Sequence, residues 1–116
     1  MYIDDCVNGI DKIMHCEKLI ATPINLGSSE LVSINNLVGM VEKIAGIKLQ
    51  RKHDLDAPRG VAGRNSDNTL IRKILGCEPS TPLREGLKRT YAWIEQQYLD
   101  RKAGRETVRE LPMTHG

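Results

Sequence analysis

Phenylalanine is absent from the 116 residues and tryptophan occurs once, so any core must be aliphatic, built from Ile, Leu and Val. No apolar run is long enough to cross a bilayer, which argues against a membrane partner. The start, with Asp4 and Asp5, lacks the basic and apolar regions of a secretory leader, so cytoplasmic residence is the expectation. Charge of one sign is not gathered anywhere. The 17 Lys and Arg are interspersed with 15 Asp and Glu for a formal net charge of +2, and nucleic acid is therefore not an expected partner. Cysteine is scarce and odd in number: Cys6, Cys16 and Cys77 form no C-x-x-C pair, which argues against both a disulfide framework and a zinc site. His15 beside Cys16 does not change this, because adjacent helix positions point about 100° apart and cannot readily share one ion. No metal site is expected. No G-x-x-G-x-x-G or G-x-G-x-x-G turn occurs, so the chain offers no dinucleotide fingerprint and is expected to bind no cofactor itself.

What is present is a single-domain length of chain with clear punctuation. A first helix is expected from Asp4 or Asp5, carrying Cys6, Ile10, Ile13 and Met14 on one face and ending before Ala21-Thr22-Pro23. Ile24-Asn25-Leu26 reads as a short strand closed by Gly27. Ser33 is a good N-cap for a second helix with Leu37, Val38, Met40, Val41 and Ile44 inward, stopped by Gly46. Alternation from Ile47 to His53 suggests another strand, so this part of the chain reads as a βαβ unit with a right-handed crossover. A loop punctuated by Pro58, Gly60 and Gly63 leads to a third helix from about Asp67 to Leu75. The last helix starts near Thr81-Pro82, with Leu83, Leu87, Tyr91, Ile94 and Tyr98 on its packing face. The expected class is α/β, a small βαβ-containing lobe of two or three short strands and about four helices. It spans residues 1–103, and 104–116 reads as a mobile tail.

The segment richest in chemistry is Gly63-Arg64-Asn65-Ser66-Asp67-Asn68. It sets a guanidinium ahead of a helix start, where Ser66 or Asp67 can cap exposed N–H groups and the dipole is positive. A planar fork of donors beside free backbone N–H groups suits phosphate or diphosphate.

This segment, followed by Leu75-Gly76-Cys77-Glu78-Pro79 and Leu83-Arg84-Glu85-Gly86-Leu87, resembles the C-terminal substrate lobe of extended short-chain dehydrogenase/reductases, the NAD-dependent epimerase/dehydratase family that acts on nucleotide sugars. Tyr2-Ile3-Asp4-Asp5-Cys6-Val7-Asn8-Gly9 and Ile24-Asn25-Leu26-Gly27-Ser28-Ser29-Glu30-Leu31-Val32-Ser33 add to the likeness, which runs to about Gln97. The resemblance implies that Arg64, with Asn65 and Ser66, contacts the diphosphate of a GDP-mannose-like nucleotide sugar. It also implies that NAD and the catalytic groups belong to a Rossmann cofactor domain lacking from these residues. No catalytic residue is carried over, and none of the three cysteines inherits a catalytic role. A Rossmann-domain partner, or self-association through the face that would meet it, follows from the same likeness.

Each of these residues also has a plainer reading. Arg64 could tie down its loop by pairing with Glu85 or Asp67. Asp4 and Asp5 suit helix capping, and Ser28 and Ser29 suit a turn. Arg51, Lys52 and His53 read as a solvated strand end. Tyr98 and Lys102 have the Tyr-x-x-x-Lys spacing of the family's catalytic pair, but at the end of the last helix beside a charged tail, which is the wrong setting.

Overall fold

A computed structural model describes residues 1–58 and 60–105. Four helices carry the fold: α1 (Ile3–Met14), α2 (Ile34–Ala45), α3 (Thr69–Leu75) and α4 (Leu83–Lys102), with a 3-10 turn over Glu17–Leu19 after α1. No strand occurs among the described residues, so the expected βαβ unit and α/β class are corrected to an all-helical one.

The physical reason is visible in where the backbone bonds go. A strand needs a neighbour to complete its ladder. The Ile47–His53 stretch instead runs back along α2 and is held by side chains. Leu49 N–H donates to Glu42 Oε1 at 3.1 Å, Arg51 donates to Glu42 Oε2 at 2.6 Å and to the Asn35 carbonyl at 3.0 Å, and His53 Nε2 lies 3.1 Å from Asn35 Oδ1. Around Ile24-Asn25-Leu26, a single backbone bond from Ser66 N–H to the Ser28 carbonyl, 2.9 Å, joins this loop to the one after Gly63. One bond is not a ladder.

The helix boundaries follow local chemistry. Ser33 caps α2 by accepting from Asn36 N–H at 3.2 Å, and Gly46, with φ of 69°, ends it in the left-handed region that a side chain disfavours. Gly76 ends α3 the same way, with φ of 64°. The last helix differs from expectation at its start: Pro82, not Thr81, occupies the N-cap, and no side chain of that residue can accept a bond. The first orphan N–H, of Leu83, is met from elsewhere in the chain by Glu30 Oε2 at 2.7 Å, and just ahead of the cap Thr81 N–H donates to Asp5 Oδ2 at 2.9 Å.

Packing is thin. Leu19 and Ile71 are the buried apolar side chains among the described residues, and the main helix-to-helix contact there is α2 against α4. Tyr2 seats against Gly86 of α4, where an added Cβ would come within 3.2 Å of the tyrosine Cβ, and Arg89 stacks 5.3 Å above its ring. Several side chains expected inside are outside: Ile10 and Met14 of α1, and Ile94 and Tyr98 of α4, are each about half exposed or more. Of the expected tail, residues 106–116 lie outside the described residues. Arg105 folds onto α4 through a 2.7 Å ion pair with Asp100.

Candidate functional site

Two loops meet where the chemistry-rich segment was found. Gly27 makes the meeting possible, because a Cβ there would fall 2.8 Å from the Ser66 Cβ. Ser66 N–H bonds to Ser28 O and Asn65 Nδ2 donates to the Ser29 carbonyl at 3.3 Å, which clips the loop 63–66 to the loop 27–30. Beneath them lies Asn68, only 3% exposed. Its Nδ2 donates to the Gly27 carbonyl at 2.9 Å and to Glu78 Oε2 at 3.0 Å, while its Oδ1 finds no partner among the described residues.

The clipped loops form a cleft of about 480 Å³, with Asn25, Ser28, Glu30, Arg64, Asn65 and Ser66 among its walls. Arg64 is exposed along this cleft and pairs with neither Glu85 nor Asp67; among the described residues it has no hydrogen-bond or ion-pair partner. Its donors are therefore uncommitted among the described residues. The carboxylate among the named walls, Glu30, already accepts Leu83 N–H and so is partly neutralised by the positive end of α4. An apolar chamber of about 330 Å³, walled by Tyr2, Ile3, Leu83 and Leu87, adjoins this cleft and shares Ser28 and Glu30 with it.

The expected link between Arg64 and the helix start is not what the structure builds. The third helix begins at Thr69, five positions beyond Arg64, and its first N–H is taken by Asp67 Oδ1 at 2.9 Å. Hydrogen bonds from the Thr69 side chain and backbone hold the Asp67 carboxyl below its ordinary range. The neighbours of the guanidinium are thus the polar groups of the 25–30 loop, not the N–H groups of α3. Sequence reasoning assigned Ser28 to a turn and did not single out Glu30 or Asn68. Their partners lie 41 and 53 positions away, beyond the reach of any local pattern.

The chain is 42% identical over 102 residues to GDP-mannose 3,5-epimerase of Arabidopsis thaliana, which covers 88% of this chain and 26% of that protein. Identity to GDP-mannose 3,5-epimerase 1 of Oryza sativa subsp. japonica is 40% over 96 residues, or 83% of this chain and 25% of that one. This chain is related to the NAD-dependent epimerases. An uncharacterized UDP-glucose epimerase of Bacillus subtilis is 32% identical over 101 residues, 84% of this chain and 31% of that protein. No family model matches the chain. It spans about a quarter of the length of these GDP-mannose 3,5-epimerases.

For an epimerase relative, the Tyr98 and Lys102 pair has to be placed. Both sit in the last turns of α4, with Tyr98 64% exposed, and neither is among the residues that wall the Arg64 cleft. Among the described residues, no three His, Cys, Asp or Glu side chains gather in a way that could hold a metal ion. His15 Nδ1 is instead 2.9 Å from the carbonyl of Asp11. No helix of the described residues is long and apolar enough to cross a membrane.

Proposed function

We propose that this chain is the C-terminal nucleotide-sugar-binding lobe of an NAD-dependent epimerase/dehydratase, and that it holds the diphosphate of a GDP-mannose-like ligand in the cleft between residues 25–30 and 63–66. Arg64 supplies the charged fork, Ser66 a hydroxyl and Asn65 its remaining amide hydrogen. The observation that carries the reading is a guanidinium with no partner among the described residues, in a polar cleft, on a chain 42% identical over most of its length to an enzyme named for GDP-mannose. NAD and the acid/base groups belong to a separate cofactor domain, so the chain alone is not catalytic.

The test is titration calorimetry of the 116-residue chain with GDP-mannose. Loss of one charge-assisted phosphate contact is worth about 1.5–3 kcal/mol, so Arg64→Ala is expected to weaken binding by roughly 10- to 150-fold. Thermal stability should stay within about 0.5 kcal/mol, because the side chain is exposed and unpaired. Equal affinity for both proteins refutes the assignment, as does the absence of binding by ligand-observed NMR at millimolar GDP-mannose.

A second reading, an interaction or assembly module derived from such a lobe, draws on one observation. Ile3, Val7, Ile10 and Met14 line a single face of α1 at spacings of four, three and four, and are 62%, 59%, 48% and 77% exposed. Sedimentation equilibrium tests it: a monomer at all concentrations removes self-association, and a concentration-dependent dimer abolished by Val7→Glu supports it.

A further inference from the structure

A recess of about 510 Å³ that shares no wall with the Arg64 cleft opens between α2 and α4. Its walls are Lys43 and Ile44 from the end of α2, and Pro82, Arg84, Glu85 and Lys88 from the first turns of α4. Three of those six residues are cationic. None of Lys43, Arg84 or Lys88 has a hydrogen bond or ion pair among the described residues. The carboxylate in the recess does not answer them, since Glu85 Oε1 accepts from Arg89 Nε at 3.2 Å on its own helix.

This placement has an electrostatic consequence. Arg84 and Lys88 are four apart on one helix face, a like-charge spacing that is mildly unfavourable unless something negative lies between them. Lys43 comes to the same recess from another helix, so three positive side chains converge on one volume whose acidic member is already engaged. The sequence gives no hint of the convergence, because Lys43 and Arg84 are 41 positions apart and the overall charge is nearly balanced. Ile44 and Pro82 add apolar wall to the same recess.

We propose that this recess is a second anion site, separate from the Arg64 cleft, that takes a phosphoryl anion: free phosphate or pyrophosphate, or the phosphate chain of a nucleotide. Three flexible cations around an open volume recognise charge more than shape, and the apolar wall of Ile44 and Pro82 offers a face for a base where the ligand carries one.

The experiment is a 15N-resolved NMR titration of the full chain with inorganic pyrophosphate and, separately, with GDP, at one fixed ionic strength. Pyrophosphate is expected to shift the amides of Lys43, Ile44, Arg84 and Lys88. The double variant Arg84→Ala/Lys88→Ala should weaken that binding about tenfold or more, while Arg64→Ala leaves these shifts unchanged. The charge-matched double variant Arg101→Ala/Lys102→Ala, on the far end of the same helix, controls for the general loss of positive charge. GDP moving these amides at lower concentration than pyrophosphate identifies a nucleotide as the ligand, and the reverse order identifies the free anion. Three results overturn the proposal: shifts confined to residues 25–30 and 63–66, equal weakening by the control variant, or a short oligonucleotide moving the recess amides at lower concentration than pyrophosphate. Because the Arg64 amides are read in the same spectra, failure of either site leaves the other standing.

Discussion

Replacing Asn68 with alanine removes the one buried polar side chain among the described residues, and it ties the site to the helices. Its Nδ2 bridges the Gly27 carbonyl at 2.9 Å and the Glu78 carboxylate at 3.0 Å. A neutral hydrogen bond is worth about 1 kcal/mol and one to a charged group about 1.5–3 kcal/mol. The Glu78 side chain is 29% exposed and also touches Arg72 at 3.4 Å, so the low end applies. Against this, the substitution removes Oδ1, a buried acceptor with no partner among the described residues, which returns about 1 kcal/mol. The net loss is about 1.5 kcal/mol, or roughly 6–12 °C in Tm for a domain of this size. Asn68→Asp should be worse, because it sets a second carboxylate near Glu78 in a site that excludes water. That repulsion raises the pKa of the introduced acid, so the deficit relative to Asn68→Ala should shrink as pH falls below about 5. Thermal unfolding followed by circular dichroism from pH 4 to 8 measures all three proteins. An alanine variant as stable as the parent would refute the bridge, and an aspartate variant that tracks alanine at every pH would remove Glu78 from its surroundings.

Ile71, 1% exposed, is the most completely buried apolar side chain, and Ile71→Ala should cost about 2–5 kcal/mol by chemical denaturation. In a chain with so small a core this approaches the whole stability of a typical domain, so a mostly unfolded variant at room temperature is expected. Gly46→Ala forces a side chain into a left-handed turn at φ of 69° and should cost about 1 kcal/mol, whereas Gly39→Ala within α2 should not. Asp5, Glu42 and Asp67 all titrate below their ordinary values of 3.8, 4.5 and 3.8. Burial alone would raise Asp5, but bonds from Thr81 outweigh it; Glu42 is lowered chiefly by Arg51 and Asp67 by Thr69. Each carboxylate therefore binds its proton more tightly in the unfolded chain, so its stabilisation is full above about pH 4.5 and is lost as pH falls through the lowered folded values. Side-chain carboxyl chemical shifts should give midpoints below those of the same residues in urea, and midpoints that coincide would contradict the contacts.

The helices were legible because their signals are local: Ser33 before an apolar period, Gly46 and Gly76 after one, and Pro82 at the threshold of a long charged helix. The strands were misread because alternation at Ile47–His53 is only half of the requirement. A strand also needs a partner, and here the partner role is filled by Glu42 and Asn35 of α2. Arg64, Asn65 and Ser66 could be singled out by residue type and likeness, and all three wall one cleft. Ser28 and Glu30, which form its other side, were beyond sequence reasoning since nothing near them in the chain announces contacts with Ser66 or Leu83.

The same contacts bear on how tightly the proposed ligand can be held. Four carboxylates, Asp5, Glu30, Glu42 and Asp67, each accept a backbone N–H outside any helix ladder, and Asp5 and Glu30 do so across 76 and 53 positions. They take the place of a sheet in fixing the loops that carry the cleft. Within it, one guanidinium contact of about 1.5–3 kcal/mol and two neutral contacts of about 1 kcal/mol each give roughly 3.5–5 kcal/mol, near the millimolar range before the cost of immobilising ligand and side chains. A chain spanning a quarter of its relatives' length is thus expected to bind as one side of a clamp. Adding the cofactor domain in trans should tighten GDP-mannose by more than any substitution within the lobe can. Affinity unchanged by that addition would mean that this cleft does not face the domain at all.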